Sequence, residues 1–301
     1  CLISSQVQST TLPPLRWSSQ ALGARTSRIR YTLRRERASL RAARGAGAGR
    51  LVRGKVQASR SADTDDQMIE FGHLSHVGLR RELNEDTYYG DAELGLWLVA
   101  DGMGGHDSGE VASALARDAI VREVRAGRPL SDAIRRANED IIRQSKQRNE
   151  SMPMGTTVVA VHVAPGGRFE LAWVGDSRAY LWNGRLQQVS SDHSYVQELI
   201  DQGQLTPDQA RTHPYRNVVT KALGVTEPDK LAIETVTGEL RPGMALLLCS
   251  DGLTEEVDDA VIAAALAQKD ISAQECVDHL VAAALDGGGS DNVTAVLLRR
   301  T

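Results

Sequence analysis

Runs of unbroken or alternating apolar residues at 69–76, 94–100, 156–163, 169–175, 178–183, 186–190, 244–249 and 293–298 predict strands. Asn183-Gly184 lies between two of them as a hairpin signal, and Pro165-Gly166-Gly167 reads as a second tight turn. Strands this close in sequence are expected to pair antiparallel. Helical spacing appears between them. Val111, Leu115 and Ala119 share a face over 108–126, as do Ile134, Ala137, Ile141 and Ile142 over 131–147. Residues 194–203 carry Tyr195, Val196, Leu199 and Ile200, and 258–268 carry Val261, Ile262, Ala265 and Leu266. Thr206-Pro207-Asp208-Gln209 has the form of a capped helix start with proline at its first position, and Ser272 with Glu275 caps a last helix. Two antiparallel sheets covered by helices would use every amphipathic face, an α+β arrangement.

Charge divides the chain where this pattern begins. Residues 1–62 hold 13 of the 35 basic residues and one of the 39 acids, leaving 22 basic and 38 acidic residues to the rest, a net of −16. The first stretch is rich in Arg, Ser, Ala and Gly, lacks an apolar period, and is expected to be disordered. It reads as a basic arm, as a transit-like peptide, or as translated upstream sequence ahead of an initiator at Met68. The expected organisation is therefore an extension over 1–67 and one folded domain over 68–301. Cys1, Cys249 and Cys276 suggest neither a disulfide framework nor a zinc site, and Cys249 sits in an apolar run as a buried small side chain. No apolar run reaches the ~18 residues of a membrane helix.

Five predicted strands end or begin at an acid. Asn84-Glu85-Asp86 follows the first, Asp101-Gly102 follows LWLVA, and Gly175-Asp176-Ser177-Arg178 follows LAWV. Ser250-Asp251-Gly252 follows ALLLC, and Asp291-Asn292 precedes VTAVLL. A single Asp-Gly is turn chemistry. Five such ends in two facing sheets can converge on one cleft, where carboxylates repel unless cations lie between them. The donors are all oxygen, which points to Mg²⁺ or Mn²⁺ rather than zinc. An oxygen-only centre of this kind suits phosphoryl transfer to water, with Arg80 or Arg81 placed to hold a phosphate.

RRELNED, LVADGMGGHDSGE, MGTTVV, VGDSRAYLW, SDHS, LLLCSDGL and GSDNVTAVLL stand in the order found in metal-dependent protein phosphatases of the PPM/PP2C type, and DGMGGH resembles the bacterial branch. The resemblance covers about residues 70–300. It implies a four-layer αββα sandwich of two antiparallel sheets flanked by helices. It also implies hydrolysis of phosphoserine and phosphothreonine by direct attack of metal-activated water. By the same resemblance Asp101 bridges two Mn²⁺ or Mg²⁺ ions, the Gly102 carbonyl is a further ligand, and Asp251 and Asp291 complete one shell. Asp86 matches the family's metal-site acid, with Glu85 beside it as the alternative. Arg81 matches the phosphate-binding arginine, and Asp176 matches the position that takes a third ion. Met103 stands where animal-type members carry a histidine, which leaves His106 or a water to protonate the leaving group. Residues 192–224 correspond to a flap beside the cleft, with His193 as a helix-entry residue.

The partners this implies are phosphorylated proteins and a cognate Ser/Thr kinase, with no nucleic acid or membrane and a monomeric state. The location implied is a bacterial cytoplasm, or a plastid if residues 1–67 are a transit peptide. A non-catalytic adaptor of the same fold would be expected to lack the acids, yet Asp86, Asp101, Asp251 and Asp291 are all present. A calcium module would gather its acids in one short loop, which this chain does not do.

Overall fold

The computed structural model describes residues 68–104, 108–148 and 153–301. The expected extension over 1–67 lies outside the described residues. In chain order the first elements are β1 (Ile69–His76), β2 (Asp86–Asp91), β3 (Leu96–Met103), α1 (Ser108–Arg125) and α2 (Leu130–Arg148). Then come β4 (Gly155–Thr156), β5 (Val158–Val163), β6 (Arg168–Val174), β7 (Arg178–Trp182), β8 (Leu186–Gln188), α3 (Tyr195–Asp201) and α4 (Pro207–Ala210). The chain closes with β9 (Glu234–Glu239), β10 (Ala245–Cys249), α5 (Asp251–Thr254), α6 (Asp259–Leu266), α7 (Ala273–Gly287) and β11 (Val293–Arg300).

Two antiparallel sheets result, in the orders β1-β11-β10-β7-β8 and β2-β3-β5-β6-β9, with β4 added beside β3. The central strands read as unbroken apolar runs because both of their faces are buried. In β3, Leu96, Leu98 and Ala100 pack against α1 and α2, while Trp97 and Val99 point into the space between the sheets. In β10, Ala245, Leu247 and Cys249 pack toward α6 and α7, while Leu246 and Leu248 meet the other sheet. Three apolar layers therefore separate four layers of secondary structure, the expected αββα sandwich. No helix among the described residues is long and apolar enough to cross a membrane.

Several elements differ from the sequence pattern. β2 and β9 were not expected as strands, since DTYYGD and ETVTGE lack a clean apolar alternation. Both are edge strands, half-buried or exposed apart from Asp86, so little of their register is written in hydrophobicity. β3 does not stop at Ala100 but runs on through Asp101-Gly102-Met103, because β4 pairs with Gly102 and Met103. α1 buries Ala112, Ser113, Ala116, Ala119 and Ile120, with Val111 and Leu115 half-buried beside them. Small residues are needed there because α1 lies close on β3. An alanine at Gly102 would put its Cβ 2.1 Å from the Gly109 carbonyl oxygen. α3 buries no residue fully. The capping boxes at Thr206 and Ser272 form as the sequence predicts.

The layering sets an expectation for stability. Leu247→Ala and Leu248→Ala face different apolar layers, and each should cost about 2–5 kcal/mol in urea unfolding. Exposed Thr237→Ala on β9 should stay within about 0.5 kcal/mol.

Candidate metal centre

The acids expected to converge do so at one end of the sandwich. Asp86 opens β2 and is the ladder partner of Asp101 in β3. Asp176 lies in the short link by which the chain passes from β6 in one sheet to β7 in the other. Asp251 begins α5 directly after β10, and Asp291 precedes β11. Burial raises the Asp101 carboxyl well above its ordinary range, and repulsion from Asp86, Asp251, Asp176 and Asp291 adds to it. Burial does the same at Asp251, aided by Asp176, Glu255, Asp291 and Asp86. Asp86 is pushed up to about 6 and Asp176 to about 7, in both cases mainly by burial. The second cause at Asp176 is the neighbouring charge of Asp192.

Neutral groups hold these acids in place. Ser250, fully buried, sits at the N-cap of α5 but makes no side-chain cap bond there. Its hydroxyl instead donates to Asp86 Oδ2 at 2.7 Å and accepts from the Thr294 N–H at 2.9 Å, joining the two sheets across the site. Thr156 and Thr157 grip the Asp101 backbone. Its carbonyl accepts from Thr156 Oγ1 and from the Thr157 N–H, both at 2.8 Å, and its N–H donates to Thr157 Oγ1 at 3.1 Å. Thr157 Oγ1 also lies 2.7 Å from Ser177 Oγ, so one threonine touches the backbone of Asp101 and the residue next to Asp176. Asn292 accepts from the Glu85 N–H at 2.8 Å and donates to the Val77 and Leu83 carbonyls at 2.9 Å each, which fixes the loop bearing Arg81. None of these four residues was singled out from the sequence, although each stands inside or beside a quoted motif. Hydroxyls and amides beside acids carry no signal until their partners are known.

Arg81 is half exposed, and its Nη2 donates to Asp291 Oδ2 at 2.6 Å. That hydrogen bond raises its pKa despite partial burial, with the charges of Asp291, Glu85 and Asp101 adding to it. Arg80 is exposed. Glu85 and Asp86 point to different places. The Glu85 carboxylate packs at the start of α1, where a Cβ on Gly109 would meet its Oε1 at 2.2 Å. Asp86 faces Ser250 and the other acids. Gly102 donates its N–H to the Glu85 carbonyl at 3.1 Å. His106 lies outside the described residues.

The residues fit a hard divalent cation. Among the described residues, Asp86 Oδ1 and Asp251 Oδ1 are buried with no hydrogen-bond partner. Buried carboxylate oxygens left in this way are costly unless a cation meets them. No three His, Cys, Asp or Glu side chains among the described residues are drawn together around one point. The donors are all oxygen, which suits Mg²⁺ and its like, ions that keep several waters and take one or two carboxylates each, and not zinc.

The stretch over 192–224 forms a flap built on α3 and α4. His193 is buried and anchors it, accepting at Nδ1 from the Gly175 N–H at 3.1 Å and donating its own N–H to the Gly175 carbonyl at 2.9 Å. Burial lowers its pKa. The polar stretch after α4 is knit by aromatic contacts, with the His213 ring 6.1 Å from Tyr195 and 5.8 Å from Tyr215. Between flap and acids lies a cavity of about 410 Å³, lined by Asp176, Asp251, Glu255, Arg216 and the Arg178–Asp192 pair. Arg178 reaches both Asp192 oxygens, the shortest contact being 2.7 Å.

Residues 79–278 match the family model described as protein phosphatase 2C. The chain belongs to the protein phosphatase 2C family. It is 39% identical over 238 residues to the serine/threonine protein phosphatase PstP of Mycobacterium tuberculosis, covering 76% of this chain and 45% of that protein. It therefore spans about half the length of that relative. The serine/threonine phosphatase stp of Listeria monocytogenes is 36% identical over 214 residues, covering 67% of this chain and 83% of that protein. Among solved structures, M. tuberculosis PstP/Ppp superposes with a TM-score of 0.70 at 37% identity, covering 77% of this chain and 98% of the other. The catalytic domain of PstP in complex with two manganese ions gives 0.68 at 36% identity, covering 77% and 97%. These protein phosphatase 2C relatives share the two-sheet architecture, in agreement with the fold expected from the sequence.

A carboxyl raised in the fold binds its proton more tightly there than in the unfolded chain. The resulting stability is full below the ordinary value of 3.8 and is lost as pH rises through about 6 for Asp86 and about 7 for Asp176. A cation that binds the ionised acids acts in the opposite sense. The rise in Tm given by saturating Mn²⁺ should therefore be larger at about pH 7.5 than at about pH 5.5 in thermal unfolding. Equal rises at both would show that the acids are already ionised without metal.

Proposed function

We propose that the chain is a metal-dependent protein phosphatase that hydrolyses phosphoserine and phosphothreonine in proteins, reversing the action of a Ser/Thr kinase. The observation that carries this reading is Arg81 set against a cluster of five mutually repelling carboxylates at the end of a two-sheet sandwich. Membership of the family and likeness to the manganese-bound PstP domain support it. A non-catalytic adaptor would have no reason to keep Asp86, Asp101, Asp251 and Asp291 at the cost of their repulsion.

In this reading Asp101, the Gly102 carbonyl, Asp251 and Asp291 would hold two ions, Asp86 would serve as a further metal-site acid, and Asp176 would hold a third ion. Asp86 is preferred to Glu85 because it faces the cluster while Glu85 packs at the start of α1. When bound, Mn²⁺ or Mg²⁺ supplies a nucleophile from water at neutral pH and neutralises charge on the phosphate. Arg81 orients the phosphate, its planar fork reaching two oxygens at once. The substrate phosphate competes with Asp291 for the same guanidinium. Thr156, Thr157 and Ser250 keep the acids in register, so they need not reorganise during the reaction. Arg216, Glu255 and the flap above them border the cavity in which residues flanking the phosphorylated one would lie.

The full chain should hydrolyse a phosphothreonine peptide, lose that activity to EDTA and regain it with Mn²⁺. A folded chain that binds Mn²⁺ yet releases no phosphate would turn the balance to the adaptor.

Single substitutions separate the roles. Asp101→Asn and Asp251→Asn should abolish turnover through loss of metal. Arg81→Ala should act mainly on KM, raising it about 10- to 100-fold, the worth of a charge-assisted hydrogen bond. Asp176→Ala should remove the third ion and leave two. Steady-state kinetics with metal titration checks each, and wild-type turnover in Asp101→Asn would refute the site.

A further inference from the structure

Asn138 is a fully buried amide in the middle of α2, a helix that contributes no acid to the metal centre. Both ends of its side chain are bonded to one distant turn. Its Oδ1 accepts from the Gly224 N–H at 2.7 Å, and its Nδ2 donates to the Thr226 carbonyl at 3.2 Å. The same turn is closed by Thr226, whose Oγ1 accepts from the Ala222 N–H at 3.1 Å and whose N–H donates to the Ala222 carbonyl at 3.0 Å. This is where the flap rejoins the sandwich.

From the turn the connection runs to the metal centre through the backbone. Leu223 and Thr156 exchange two hydrogen bonds, of 2.9 and 3.0 Å. Thr156 pairs with Gly102 in β3, and its hydroxyl donates to the Asp101 carbonyl at 2.8 Å. Thr157, next in the chain, holds the Asp101 N–H and carbonyl. The links between Asn138 and Asp101 are buried, and Thr226, which closes the turn, is half-buried. Thr156 is 0% exposed, Thr157 1% and Leu223 0%. A buried amide with both of its functions satisfied specifies one geometry, because any shift leaves a donor or acceptor without a partner.

We infer that Asn138 is a positioning residue for the metal centre, setting the placement of Asp101 and Gly102 through the turn at residues 222–226 and Thr156. The inference rests on the reading of Asp101 and Gly102 as metal ligands. Groups that orient metal ligands from behind typically change metal affinity or activity 10- to 100-fold when removed. Asn138 would do so from two hydrogen-bonded steps further out, so the expected effect lies at the lower end of that range. A residue that serves only to fill the core would lower the melting temperature without touching metal affinity.

The test is calorimetric titration of Mn²⁺ into the full chain, well below its melting temperature, for wild type, Asn138→Ala and Thr226→Val. Thr226→Val keeps the shape of its half-buried side chain and removes only the hydroxyl that closes the turn, so it decides the matter if Asn138→Ala does not fold. The expected result is a weakening of Mn²⁺ binding by about 10-fold in Asn138→Ala and by a smaller factor in Thr226→Val. Wild-type affinity in the folded variants, with a lowered melting temperature, would overturn the inference. A wild-type chain that binds Mn²⁺ and hydrolyses no phosphopeptide would sink the phosphatase reading while leaving the Asn138 connection to be decided by the same titration.

Discussion

Carboxylates withdrawn from water and set near one another repel, and no arrangement of the backbone removes that repulsion. Much of the architecture at this end of the sandwich can be understood as a means of bearing it. Asp101 is opposed by four other aspartates. The acids come from both sheets and from the link between them, so the repulsion acts across the interlayer core and not within one loop. That core is built from large side chains such as Trp97, Leu171 and Leu246, and it opposes separation of the sheets with a close-packed apolar interior.

The groups that hold the acids are mostly neutral. A lysine or arginine at Ser250 or Thr157 would offset part of the cluster's charge and weaken its attraction for cations. Hydroxyls and amides orient a carboxylate without discharging it. Ser250 gives up the usual capping bond of its own helix to reach Asp86, and its N–H still bonds the Thr294 carbonyl at 3.0 Å. Arg81, the cation bonded to Asp291, is on a loop, half exposed and held through the backbone by Asn292. It can change partner without disturbing the rest.

The sequence made the central layers legible because their strands are apolar on both faces and their helices carry a clear stripe. The acids were legible because aspartate at the end of an apolar run is conspicuous, and five such ends are hard to account for separately. Edge strands β2 and β9 were not legible, since exposure removes the alternation that marks a strand. The continuation of β3 through Asp101 was hidden because its pairing comes from β4, two residues long and more than fifty positions away. The roles of Ser250, Thr156, Asn292 and Asn138 depend on partners remote in sequence, and nothing local distinguishes them from ordinary polar residues. The choice between Glu85 and Asp86 needed the direction of each side chain, which alternates along the backbone and becomes definite only once β2 is paired.

The crossing from β6 to β7 carries Asp176 from one sheet toward the other. The distance between the two halves of the metal centre is therefore a property of the stack, set by the thickness of the apolar layer beneath it. In this sense the middle of the protein works as a spacer whose gauge is the volume of its side chains. Divalent ions differ in radius by a few tenths of an ångström, and Mg²⁺ tolerates misfit less than larger ions do. Side chains deep between the sheets, far from any charged group, thus share in setting how far apart the acids stand.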